Sequence, residues 1–288
     1  MTAFWSKNQR LKMLHLAFAR VVTLCFLCCA GPGGSVAAAS ELRFLTVEEP
    51  PTNYLENGEV VGTSVDLVRE LARLLDETID IELLPPARAI LVANTTANRV
   101  LFTAALTEAR KAQGYHAIGP VITRKHVLYA RKGRNLQLAK LGDLITQNLT
   151  VSGTDGDWRS AYLKERGVVV ETTTEHLLNL KKLMVNRTDL WISSDIEAPP
   201  ILAEAGVDRS EIEEVLVIRT APSYILVSNG TAPEVLRRWR AAFRAMSSDQ
   251  DFLDQVTSKW SRKLGMDFGY DRGTGFFVKS GGDSASRS

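Results

Sequence analysis

Between residues 43 and 260 the chain alternates short apolar runs with amphipathic stretches, and near residue 134 the alternation starts afresh. Strand-like runs fall at 43–48, 79–84, 100–106 and 121–130, then again at 149–152, 168–171, 189–193, 215–218 and 224–228. Helix-like runs separate them at 65–75, 87–97, 157–166, 175–185 and 199–205, and two more, 233–246 and 252–260, follow the last strand. In the first helix Val68, Leu71, Ala72 and Leu75 recur on one side, the spacing that buries a helix face. Strands alternating with helices of this length favour parallel sheets covered by helices. The restart implies two such α/β units, with ligands taken outside the carboxyl ends of the strands. The segments then divide as 40–132 for lobe 1, 133–222 for lobe 2 and 223–268 for a return to lobe 1. Chain crossings near 131–134 and 220–223 join the lobes. A Gly/Ser-rich tail, 269–288, reads as loose.

Residues 1–39 hold Lys7, Arg10, Lys12 and Arg20 and no acidic residue, then an apolar run from Val21 and the small-residue exit Ala37-Ala38-Ala39. That order is the pattern of a secretory signal peptide, and the apolar run is well short of the ~20 residues of a spanning helix. Export to the periplasm is therefore expected. All three cysteines, Cys25, Cys28 and Cys29, lie in this segment, so cleavage near Ala39 leaves a chain without disulfide or thiolate chemistry. Removing these four basic residues from the 35 present leaves 31 against 33 acidic ones, a net charge of −2. A chain so balanced offers nothing to nucleic acid or to an anionic membrane.

Several segments carry a family resemblance. TVEEPPTNYLENGEVVGTSVDLVRELARLL resembles the opening of the extracellular solute-binding proteins of polar amino-acid ABC importers (solute-binding family 3): a strand, a Pro-Pro turn, a Gly-containing hairpin and a G-x-x-V-D-L helix. LPPARAI is similar to the P-x-A-R-A segment of one branch of that family. FTAALTEARKAQGYHAIGPVI resembles its strand, T-x-x-R helix start and G-P segment. LGDLITQNLTVSGTDGDW, TDLWISSDIEAPPILAEAG and PSYILVSNGTAPEVLRRWRAAF resemble the start of its second lobe, the strand ending in Asp, and the return to lobe 1. The resemblance implies a two-lobed, periplasmic-binding-protein-like fold (type II). It also implies a monomeric receptor that closes on a small polar ligand, an amino acid or related carboxylate, and hands it to an ABC permease. No cofactor and no metal is implied. A ligand-sensing lobe for a membrane signalling partner, or a dehydratase on the same fold, is the alternative.

A free amino acid needs a cation for its carboxylate and acceptors for its ammonium. Arg110 lies three residues after Thr107, a candidate N-cap, and a cation in a first helical turn opposes the helix dipole. Recognition of an anion by guanidinium and free helix N–H groups accounts for it. The competing reading is a solvated surface arginine. By resemblance, Asp195 meets the ligand's ammonium, although it equally suits an N-cap; Gly153 and Thr154 add donors from lobe 2, and Thr103 offers its carbonyl. Ala105 stands where the family usually has Ser or Thr, which removes one ammonium acceptor. Glu48 or Glu49 supplies a carboxylate near the Pro-Pro turn, where an aromatic often stacks. Tyr54 and Trp158 either stack on ligand or pack, and Arg88 is either a cleft cation or part of a salt bridge. No H-E-x-x-H, G-x-S-x-G or nucleotide-binding loop is present. His116, His126 and His176 lack metal-ligand spacing, and Glu197 is the one acid near lobe 2's cleft edge that a dehydratase would require.

Overall fold

The computed structural model describes residues 42–279, so the signal-peptide reading of 1–39 lies outside the described residues. One mixed sheet runs through them in the order β4-β1-β5-β10-β6-β9-β7-β8. On one side β1 (Arg43–Thr46), β4 (Ile81–Leu83) and β5 (Arg99–Ala104) are parallel. On the other, β7 (Thr150–Thr154), β8 (Val169–Thr173) and β9 (Leu190–Ser194) are parallel as well. Between these triplets lie β6 (His116–Arg131) and β10 (Ile212–Val227), each 16 residues long and antiparallel to one another. At about 3.3 Å per residue each is long enough to serve both lobes. This is the two-lobed α/β architecture that the sequence implies.

Helices cover both faces. In lobe 1, α1 (Thr63–Leu74) turns Val65, Val68, Leu71 and Ala72 inward, as its apolar spacing requires. It packs with α8 (Pro233–Met246) and α9 (Gln250–Leu264) around Trp239 and Phe44, whose rings lie 5.1 Å apart. The shorter α2 (Pro86–Thr95) and α3 (Glu108–Ala112) follow the ends of β4 and β5. In lobe 2, α4 (Gly142–Thr146) and α5 (Trp158–Lys164) pack near one core around Val151, Leu163 and Ile192. The helices α6 (His176–Met184) and α7 (Ala198–Ala205) close another around Trp191 and Tyr129. A hairpin, β2 (Tyr54–Glu56) and β3 (Glu59–Val61), turns at Asn57-Gly58, both at positive φ as a tight hairpin turn demands. Among the described residues no helix is long and apolar enough to cross a membrane.

Three expectations are corrected. The first lobe crossing is not at 131–134 but inside β6, where Ile122 belongs to the lobe 1 core and Val127 to a lobe 2 core. Lys132-Gly133 is a turn within lobe 2; the polar Arg124, Lys125 and His126 hide the true crossing in a strand that continues past it. The runs at 215–218 and 224–228 are one strand. Pro222 is tolerated because β5 pairs with β10 only from Tyr224 onward, leaving that flank of the ladder open at the proline. Finally, residues from Gly269 do not begin a loose tail. β11 (Phe268–Asp271) and β12 (Gly275–Val278) form a hairpin that pairs Phe276 with Ile122 of β6. Gly275, at φ 70°, passes so close to β6 that a Cβ would stand 2.3 Å from the Val121 carbonyl carbon.

Phe276 is 1% exposed within the lobe 1 core. Phe276→Ala is expected to cost about 3–5 kcal/mol, read as a lower denaturant midpoint in equilibrium unfolding. A midpoint within error of wild type would show that the hairpin is not part of the folded unit.

Candidate ligand-binding site

The carboxyl ends of β1, β7, β8 and β9 lead into four segments that border one cavity of about 460 Å³. Lobe 1 contributes Val47, Glu48, Glu49 and Pro50; lobe 2 contributes Asp157, Arg159, His176 and Glu197, with Pro200, Ile201 and Glu204 from α7. The lobe 1 segment is held by the start of α1. Thr63 and Ser64 donate their N–H groups to the carbonyls of Pro51 and Thr52, and Gly62 approaches so near that a Cβ would lie 2.0 Å from the Thr52 carbonyl oxygen. Glu49 and Thr52 are thereby fixed at the cleft edge.

Buried charge organises both walls. Arg159 is 5% exposed and is gripped by two carboxylates: Asp157 accepts from its Nε (3.0 Å) and Nη2 (2.6 Å), and Glu197 accepts from its Nη1. Asp157 also caps α5 by accepting the Arg159 N–H at 2.7 Å. Burial works to raise the Glu197 pKa, but Arg159 and then Arg124 outweigh it and hold the carboxyl at about 2. Arg124, likewise 5% exposed, sits on β6 at the crossing and donates to Glu49 (3.0 Å) and to the Thr52 hydroxyl (2.9 Å). Burial raises the Glu49 pKa against the pull of Arg124. Two residues further along β6, and so on the same face, His126 meets the Trp158 ring edge-on at 4.8 Å. Burial, reinforced by Arg159, lowers the His126 pKa to about 4, which keeps the imidazole neutral at physiological pH.

Of the residues nominated from sequence as ligand contacts, Glu48 and Glu49 line the cavity and the others do not. Trp158 opens α5 between two cavity-lining residues, 41% exposed, with the Arg219 guanidinium 5.4 Å above its ring. Thr154 is committed to lobe 2: its hydroxyl meets His176 Nδ1 at 3.2 Å and accepts from Asn179 at 3.3 Å, so it positions a cavity-lining histidine. Gly153 is explained by packing, since a Cβ there would stand 2.5 Å from the Ser160 hydroxyl. Asp195, 9% exposed, ties β9 to β6 by accepting the Lys125 N–H and donating its own to the Lys125 carbonyl, both at 3.0 Å. Arg110 is half-buried beyond the end of β5; its N–H is capped by Thr107 and its Nη1 donates to the Ala105 carbonyl at 2.6 Å. Burial lowers its pKa, and no carboxylate pairs with it among the described residues. Thr103 lies at φ 58°, a backbone outlier for a β-branched residue, where the register of β5 against β10 shifts. Arg88 is exposed in the first turn of α2, without an acidic partner among the described residues. Tyr54 packs away from the cavity, against Trp260 of α9 at 6.5 Å.

A sequence profile of the bacterial extracellular solute-binding proteins, family 3, matches residues 42–263, most of the chain. The chain belongs to that family. No curated protein sequence matches it. Among solved structures, a histidine kinase sensor domain with similarity to periplasmic binding proteins is 20% identical, with a TM-score of 0.63, over 77% of this chain and 97% of that one. An ancestral arginine-binding protein bound to arginine is 21% identical, with a TM-score of 0.59, over 77% and 99%. The GluR0 ligand-binding core from Nostoc punctiforme in complex with (L)-glutamate is 18% identical, with a TM-score of 0.59, over 76% and 98%. At such identities the likeness is one of fold.

What sequence reading missed in this solute-binding protein is its buried charge: Arg124, Asp157, Arg159 and the pairing of Glu197. A signal existed. Arg124 and His126 recur at strand spacing between the apolar pairs Val121-Ile122 and Val127-Leu128, as polar groups facing a shared buried site do. The titrations of two of its neighbours oppose each other. Burial, against the Lys125 backbone bond, raises Asp195 from 3.8 to about 6, so its contribution is lost as pH rises through that window. His126, lowered from 6.5 to about 4, makes the protein lose stability as pH falls through its own window. Asp195→Asn removes the first. The variant is expected to lose about 3 kcal/mol between pH 6.5 and pH 4 by urea unfolding, while wild type stays flatter. Parallel profiles would refute the opposition.

Proposed function

We propose that this chain is an exported receptor that captures an amino acid or related carboxylate between its lobes and delivers it to an ABC importer. The observation that carries the reading is the cavity itself: it is bounded by both lobes, so a ligand within it gains its full set of contacts only when they are closed. Arg110 supplies the reason for a carboxylate. A half-buried guanidinium with no carboxylate partner among the described residues is poorly compensated until an anion reaches its remaining donors. Arginine and glutamate in two structures of like fold agree with an amino-acid ligand. The basic, apolar and small-residue sequence of 1–39 supports export, and lobe limits at the β6 and β10 crossings suit hinge closure. Glu197, ionised at neutral pH by its arginine partners, does not suit the proton donation that a dehydratase would ask of it. The same closure would serve a membrane signalling partner; a permease and ATPase encoded alongside favour import, and a kinase favours sensing.

A thermal-shift panel of amino acids, opines and small organic acids tests the receptor reading, because a ligand specific to the folded state raises the melting temperature. Arg110→Ala is expected to weaken binding of the best ligand about 10- to 100-fold by calorimetry, with the ligand-free melting temperature little changed. Unchanged affinity would remove Arg110 from the site.

A further inference from the structure

The cavity carries more negative charge than the protein neutralises. Five carboxylates line it: Glu48 and Glu49 from lobe 1, and Asp157, Glu197 and Glu204 from lobe 2. Two guanidiniums answer them among the described residues. Arg159 is shared by Asp157 and Glu197, and Arg124 pairs with Glu49. Glu48 and Glu204, both exposed and on opposite walls, have no cationic partner among the described residues. Closing two acidic walls on one another costs free energy that a cation between them offsets, and the cost grows as water leaves.

A second observation points the same way. His126 is 7% exposed, its Nδ1 has no partner among the described residues, and the charges acting on it are those of the cleft: Arg159, Glu197, Arg124 and Asp157. A neutral imidazole with an unpartnered nitrogen is able to accept a hydrogen bond from a cationic N–H donor. Beside the carboxylates, Val47, Pro50, Pro200 and Ile201 give the cavity apolar surface suited to methylene groups.

We infer that the cleft selects a ligand carrying a fixed positive charge at the end of a short aliphatic chain, the class of basic amino acids and their guanidino or amino derivatives. This rests on the reading of the cleft as the receptor's ligand site. The carboxylates act as selectors: they attract such a cation and repel an acidic side chain, so neutral and acidic amino acids are discriminated against.

Calorimetric titration of the full chain with L-arginine, L-lysine, L-glutamine and L-glutamate tests it. Arginine or lysine is expected to bind at least about tenfold more tightly than glutamine or glutamate. Glu48→Gln and Glu204→Gln, on exposed side chains, are each expected to weaken the basic ligand about three- to fivefold without weakening glutamine. Tighter binding of glutamine or glutamate would overturn the inference and leave the receptor reading in place. An unaltered preference for arginine in the double variant would overturn the role given to these carboxylates. Failure of all four amino acids to bind, with the panel above also silent, would overturn the receptor reading and this inference with it.

Discussion

The antiparallel pairing of β6 with β10 is the constraint from which the rest of the structure hangs. Each strand gives one end to lobe 1 and the other to lobe 2, and β5 and β9 dock on their outer edges. Because each lobe completes its sheet on the same two strands, the parallel triplets bring their carboxyl ends to a shared cleft. The ladder shifts register between Glu214 and Leu216, Val217 and Arg219, and Ser223 and Ile225. Such irregularities add local twist and bending to a strand. The last two bracket the segment where β10 crosses from one core to the other.

On that frame the site is built from charges that the fold had to bury. Removing either partner of a buried pair such as Arg159–Glu197 leaves the other charge uncompensated, which is costly, so each guanidinium fixes the carboxylates around it. Arg124 does this from the crossing strand itself, binding the lobe 1 turn through Glu49 and Thr52 while its charge stabilises ionised Glu197 of lobe 2. Cleft geometry and crossing geometry thus share one residue. Any movement of the lobes that changes the distance between Glu49 and Glu197 changes the field that Arg124 mediates.

Much of this was legible in the sequence, for local reasons. The α1 stripe and the Thr107 cap depend on neighbours a few residues away, and so does the strand-helix alternation that gives two lobes. What depended on distant partners was not legible. β6 reads short because Gly119-Pro120 looks like a break, and β10 reads as two runs because of Pro222, until the flanking strands are in place. Nothing near Arg159 in the sequence marks it, since Glu197, which completes its site, lies 38 positions further on. Gly153 reads as an anion cradle, and only the packed Ser160 hydroxyl shows that it makes room for a side chain.

In the function proposed for this chain, one ligand is held by both lobes at once. Amide hydrogen exchange tests it most directly, comparing the chain alone with the chain saturated by whichever amino acid raises its melting temperature most. Slowed exchange is predicted together in the lobe 1 turn at 47–53 and in the lobe 2 segment at 154–159. Protection confined to one of the two, with the other exchanging as in the free protein, would contradict it.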